Sequence, residues 1–155
     1  MAKFTFRLQS YLGVKEQLEE QKKNEYGQAL RRVEEEKQKK RLLEQERAMM
    51  IQTFKESLTT AINPADIRRY NNRLEHLKNR IKEQQERIEE AEAAAELKRL
   101  ELVEAMKERK MLEAVREKSY ETYLEEEKRA EQRVVDEIVS YQYAEKDFER
   151  EAVNG

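Results

Sequence analysis

Between Ile67 and Ala95, residues spaced alternately by three and four are Ile67, Tyr70, Leu74, Leu77, Ile81, Gln84, Ile88, Ala91 and Ala95, and all but Gln84 are apolar. Four heptads of this spacing place one narrow apolar seam along an α-helix. A seam two-sevenths wide covers a partner helix; it is too narrow for a sheet or a broad core. The chain therefore reads as a coiled coil. In the preceding half the same spacing runs through Tyr26, Ala29, Val33, Glu36, Lys40, Leu43, Arg47, Met50, Phe54 and Ala61. Leu8, Tyr11 and Leu18 precede it in a neighbouring register, and Glu34 to Arg41 reads as a weak zipper.

One break separates the two seams. The only proline stands in Asn63-Pro64-Ala65-Asp66, where Asn63 suits a helix cap, Pro64 the first helical position, and Asp66 the positive end of a new helix. The expected architecture is all-α: one helix over about 4–60, a turn at about 61–65, and a second helix over about 65–151. Gly13 and Gly27 have no turn residues around them, so each reads as a weak point inside the first helix.

Composition agrees with a chain that builds no globular core. Charged residues make up 43% of the 155 and hydrophobic ones 37%, where a packed domain has nearly half. Disorder has a similar balance, but the sustained periodicity decides for helix. The net charge of -2 provides no global field for nucleic acid. With no cysteine there is no disulfide framework, which fits a reducing compartment. No run of apolar residues reaches the length of a signal peptide or of a membrane span, and the cytoplasm is the expected location.

A short connection favours antiparallel neighbours. Folding at 62–63 sets Met50 opposite Leu77, Phe54 opposite Leu74, and Phe4 beside residue 123. The second helix then overhangs from about Leu124. That overhang retains an apolar stripe, Tyr120, Leu124, Val134, Ile138, Tyr141 and Phe148, with Val135 and Val139 beside it. Uncovered, such a stripe forfeits several kcal/mol at roughly 25 cal/mol per Å², and marks a recognition surface. A shifted register, or pairing of two tails, would also cover it.

No chemistry-bearing constellation emerges. The sole histidine, His76, takes an outward heptad position. One histidine without cysteine makes no usual zinc site; the carboxylates lie on helix faces, and no glycine-rich phosphate loop is present. The expectation is no cofactor, no metal and no catalysis. Charge is unevenly placed, however. Arg68, Arg69, Arg73, Lys78, Arg80 and Lys82 follow the turn, opposed up to residue 82 by Asp66 and Glu75, whereas residues 121–151 contain eleven acidic and five basic side chains. The hairpin tip is basic and the overhang acidic. Both runs are also compatible with solvated faces.

Particular residues resemble the FliJ family of flagellar type III export proteins: Phe4-Thr5-Phe6-Arg7-Leu8-Gln9 with Leu12, then Arg69-Tyr70 with Leu74, Leu77 and Ile81. Leu112-Glu113, Lys118 to Glu121, Glu125-Glu126 and Asp136-Glu137 extend the likeness over nearly the whole chain. The resemblance implies a non-enzymatic, stalk-like coiled coil of the bacterial flagellar export apparatus, cytoplasmic and held at the inner face of the membrane. Its implied partners are the hexameric export ATPase FliI, whose ring pore takes the paired termini, the export gate protein FlhA, and export chaperones. Phe4, Leu8, Leu12, Val134, Ile138 and Tyr141 would form or border the ATPase end. Tyr70, Arg73, Leu77, Arg80 and Gln84 would be the gate-contact stretch, although Arg73, Arg80 and Gln84 depart from the more apolar, aromatic or histidine character of the pattern. A helix of about 57 residues extends roughly 85 Å, long enough to cross a ring.

Two other classes fit parts of the sequence. A nucleic-acid-binding hairpin would use the basic tip, but the net charge is negative and aromatic stacking platforms are missing, so no nucleic acid is expected. A structural spacer would self-associate through its tail.

Overall fold

Two helices account for the fold in the computed structural model, which describes residues 3–60 and 63–155. Helix α1 spans Gln9–Ser57 and helix α2 spans Pro64–Asn154, packed as an antiparallel coiled-coil hairpin with the end of α2 overhanging. Ala61 and Ile62 of the expected turn, including the Ala61 seam position, lie outside the described residues, as do Met1 and Ala2.

The start of α2 follows from local chemistry. The Asn63 side-chain oxygen accepts from the Ala65 amide at 3.2 Å, and the Asn63 carbonyl accepts from the Asp66 amide at 2.9 Å. Pro64 contributes no amide to be satisfied, and Asp66 is the acidic residue of the first turn. Helix α1 is shorter than expected at both ends. It begins at Gln9, whose amide donates to the Phe6 carbonyl at 3.1 Å, because Phe4-Thr5-Phe6 are β-preferring residues without a good cap. It ends at Ser57 rather than 60. There the hydroxyls of Ser57, Thr59 and Thr60 donate to the carbonyls of Phe54, Glu56 and Ser57 at 2.7–2.9 Å, capturing acceptors that a continuing helix would use.

The chain divides into two compact units: the N-terminal arm through Lys15 with Glu108–Gly155, and Glu16–Lys107. In the second unit the seam is small and close-packed. Val33 lies with Ala91 and Ala95, flanked by Ala29, and alanine at such positions lets two helix backbones approach closely. Leu77, at 2% exposure, Ile88 and Ala105 are also buried. Phe54 stacks on Tyr70 with ring centroids 3.8 Å apart and planes 7° from parallel. Its ring partner is thus one turn nearer the connection than Leu74, and the register is correspondingly shifted from the expected one.

Along α1 the seam keeps a single phase from Leu12 through Lys15, Glu19, Lys22 and Tyr26 to Phe54; Leu12 and Glu19 are buried, while Leu8 and Tyr11 are exposed. Of the separate register expected for Leu8, Tyr11 and Leu18, only Leu18 is half-buried, and Lys15, Glu19 and Lys22 bring charge into the seam beside it. Long side chains make this possible, because their stems cover apolar surface while their heads reach counter-ions at the edge. In the second unit Lys22 pairs with Glu25 at 3.3 Å and Glu101 at 3.2 Å, and Lys98 pairs with the same two carboxylates at 3.2 and 3.4 Å. This alternating square holds both ammonium groups above, and both carboxyls below, their ordinary values through its hydrogen bonds.

Candidate partner-binding surfaces

In the first unit the extended N-terminal arm is fixed by aromatic packing. Phe4 meets Tyr120 edge-on at 5.1 Å and Tyr123 at 5.4 Å; the two tyrosines lie 6.2 Å apart. Edge-to-face pairs of this kind contribute beyond the area they bury. Desolvation raises the Tyr123 hydroxyl above its ordinary pKa. One turn into α1, Leu12 is 2% exposed, and Lys15 binds Glu108 at 2.8 Å while sitting 5.2 Å from the Tyr11 ring centroid. That hydrogen bond is also the main reason the Lys15 ammonium is held above its usual value. Around Phe4, an open groove of about 730 Å³ is lined by Phe6, Arg7, Leu8, Val115 and Lys118 among others.

Beyond the aromatic cluster α2 has no covering helix. Every residue from Lys128 onward is exposed, including Val134 at 54%, Ile138, Tyr141 at 72% and Phe148 at 74%. The six residues expected at the ATPase end fall into two groups. Phe4 and Leu12 are packed and Leu8 is half-exposed, whereas Val134, Ile138 and Tyr141 begin about 16 Å farther along the helix than Tyr123, at 1.5 Å per residue. Tyr120, expected in the bare stripe, belongs instead to the Phe4 cluster. Phe4 lies beside residue 123 as expected, and the one sequence signal for its aromatic clamp is the spacing of Tyr120 and Tyr123 three residues apart.

In the second unit the expected gate-contact residues also separate. Leu77 and Gln84 are buried in the seam and Tyr70 is stacked on Phe54, while Arg73 and Arg80 are exposed. Gln84 donates to the backbone oxygen of Glu36 at 2.8 Å and to its carboxylate at 2.5 Å. It is therefore an internal bond rather than a surface contact. Glu36 is held below the ordinary carboxylate range, chiefly by this bond and also by Lys39. Arg68, Arg69, Lys78 and Lys82 share the exposure of Arg73, as does His76. An open groove of about 700 Å³ runs between Leu42, Met49, Met50 and Phe54 on α1 and Arg69 and Arg73 on α2. Its methionine wall, with Met49 71% exposed, went unnoticed in the sequence because Leu42 and Met49 lie beside the seam rather than in it.

Among the described residues no group of three or more histidine, cysteine, aspartate and glutamate side chains could hold a metal ion, and no helix is long and apolar enough to cross a membrane. Exposed apolar stripes rimmed by charge are a common feature of macromolecular interfaces. No curated protein and no solved structure matches the chain significantly. The family described as Flagellar FliJ protein matches residues 4–147. The chain belongs to that family, and so is a component of the flagellar protein export apparatus.

Proposed function

We propose that this chain is the stalk-like partner of the hexameric flagellar export ATPase FliI, acting in the cytoplasm at the membrane-embedded export apparatus. The observation that carries the reading is the end of α2, a helix with Val134, Ile138 and Tyr141 exposed on a stripe that its own chain leaves uncovered. A ring of six subunits offers a pore lined by repeated surfaces, and a slender helical end can enter it where a globular domain would not. The packed arm of Phe4 and Leu12, with Leu8 at its edge, borders this end and fixes where the two-helix portion gives way to a single helix. Burial of the stripe on binding would recover the apolar area left in water, promoting ring assembly and ATP hydrolysis.

At the basic segment after the bend, Arg73 and Arg80 are the side chains offered to the export gate protein FlhA, while Tyr70, Leu77 and Gln84 shape the seam that presents them. Export chaperones are further partners in this reading. The chain itself supplies no catalytic group; its contribution is mechanical and organisational.

Stimulation of the ATPase by the purified full-length chain tests the proposal. Val134→Ala with Ile138→Ala should abolish it while leaving the far-ultraviolet circular dichroism of the chain intact. Undiminished stimulation by that folded variant would reject the assignment.

A further inference from the structure

The two exposed apolar surfaces of this chain have opposite electrostatic settings. The groove bounded by Leu42, Met49, Met50 and Phe54 has Arg69 and Arg73 on its α2 side, and Arg68, Lys78, Arg80 and Lys82 continue the positive charge on exposed positions. Glu46 and Asp66 also line the groove, and Asp66 faces Arg69 at 3.9 Å. Over residues 66–82 the balance still favours cations, six against two. The overhang reverses this sign, with eleven acidic and five basic residues over 121–151. On its helix, Glu137 and Glu145 lie one turn either side of Tyr141, and Glu149 neighbours Phe148, so carboxylates accompany the apolar stripe.

This distribution discriminates between ways in which two copies can meet. Joining two overhangs brings like charge against like, which disfavours tail-to-tail pairing. Joining an overhang to the groove beside the basic segment sets opposite charges together and gives Tyr141 and Phe148 a methionine-rich wall. Methionine suits that task because its unbranched, polarisable side chain adapts to varied aromatic partners. We infer that the acidic overhang of one copy docks in the methionine-lined basic groove of a second copy. Two copies can meet through one such contact or through two reciprocal ones, and either arrangement covers an overhang and a groove together. The contact also covers, in each joined pair, one copy's overhang and the other's basic segment, the two regions offered to partners in the reading above. The association itself does not depend on that reading.

Sedimentation velocity of the full chain alone, from dilute to concentrated solution at low salt, tests the inference. The weight-average mass should rise above that of a monomer as the concentration increases. Adding salt should reverse the effect and weaken association at least roughly tenfold, because rim charges are screened within about 8 Å at physiological ionic strength. Arg69→Glu with Arg73→Glu removes the cations of the groove's own lining and leaves the acidic overhang unchanged; Glu145→Lys with Glu149→Lys leaves the groove unchanged and replaces two carboxylates of the overhang by ammonium groups. Each double variant alone should remain monomeric, and an equimolar mixture should associate again, since the unaltered overhang of the first variant then meets the unaltered groove of the second. A monomer at all concentrations, variants that associate like the unaltered chain, or a mixture that stays monomeric would each overturn the inference. No ATPase enters this experiment, so its outcome is separate from that of the stimulation assay.

Discussion

Gln84 reaches across the hairpin to Glu36, donating to its backbone oxygen at 2.8 Å and its carboxylate at 2.5 Å, with Gln84 only 5% exposed. A polar pair of this kind inside a seam fixes register more than it stabilises. Gln84→Leu alone should lower the thermal midpoint, because the Glu36 carboxylate loses its principal donor. Glu36→Leu combined with Gln84→Leu should raise the midpoint above that of the parent. Circular-dichroism melts of the three chains check both directions, and the sign of the double variant is the decisive reading.

Apolar side chains in the seam part of α2 and in its overhang should respond very differently to truncation. Leu77→Ala removes a side chain that is 2% exposed and should cost about 2–4 kcal/mol. Val134→Ala, on a surface already in water, should change stability by less than about 0.5 kcal/mol. Urea unfolding gives both values. A large loss for Val134 in the isolated chain would mean that the stripe is already covered.

Gly27 lies within α1, and nothing comes within 4 Å of the place where a β-carbon would stand. Gly27→Ala should therefore stabilise by about 1 kcal/mol through helix propensity and a less flexible unfolded chain. Gly13 has the same open surroundings and should show the same sign. A melt that drops on either substitution would indicate a neighbour that needs the space.

The Lys22, Glu25, Lys98 and Glu101 square makes stability depend on pH at both extremes. Its carboxyls are lowered from an ordinary 4.5 in the folded chain, so their contribution is complete above that value and is lost as pH falls through the lowered ones. Its ammonium groups are raised from 10.5, so theirs is complete below 10.5 and lost as pH rises through the raised values. Glu36 adds to the acid limb in the same sense as the other carboxyls. The melting midpoint should be flat near neutrality and fall on either side, with Glu101→Gln diminishing the acid limb. A pH series of melts at fixed ionic strength reads this directly.

Much of the fold was legible because the informative residues were short-range signals. The Ile67 to Ala95 spacing shows a helix with one apolar seam, and Asn63-Pro64 with Asp66 shows where it begins. Hydropathy spacing could not find the seam positions filled by Lys15, Glu19 and Lys22, because a charged residue whose stem packs and whose head pairs looks like a surface residue in one dimension. That blindness is why Leu8, Tyr11 and Leu18 seemed to form a register of their own. The Phe54 and Tyr70 stack was hidden for another reason: turn position alone leaves register uncertain by about a helical turn, and stacking selects among the choices. For the candidate surfaces, exposure of Val134, Ile138 and Tyr141 followed from counting chain lengths. The Phe4 clamp and the Met49 wall required coordinates, since each joins residues distant in sequence or lies beside the periodic face.

Residues 128–154 have no neighbouring helix to shelter their backbone, so the hydrogen bonds of this segment are maintained by local helix propensity and pairs such as Gln132 with Asp136 at 3.0 Å. Their amide protons should exchange with deuterated water far sooner than those around Ile88. Any molecule that grips the segment will then leave a slowed patch in the exchange map, a footprint that reveals the grip without identifying beforehand what made it.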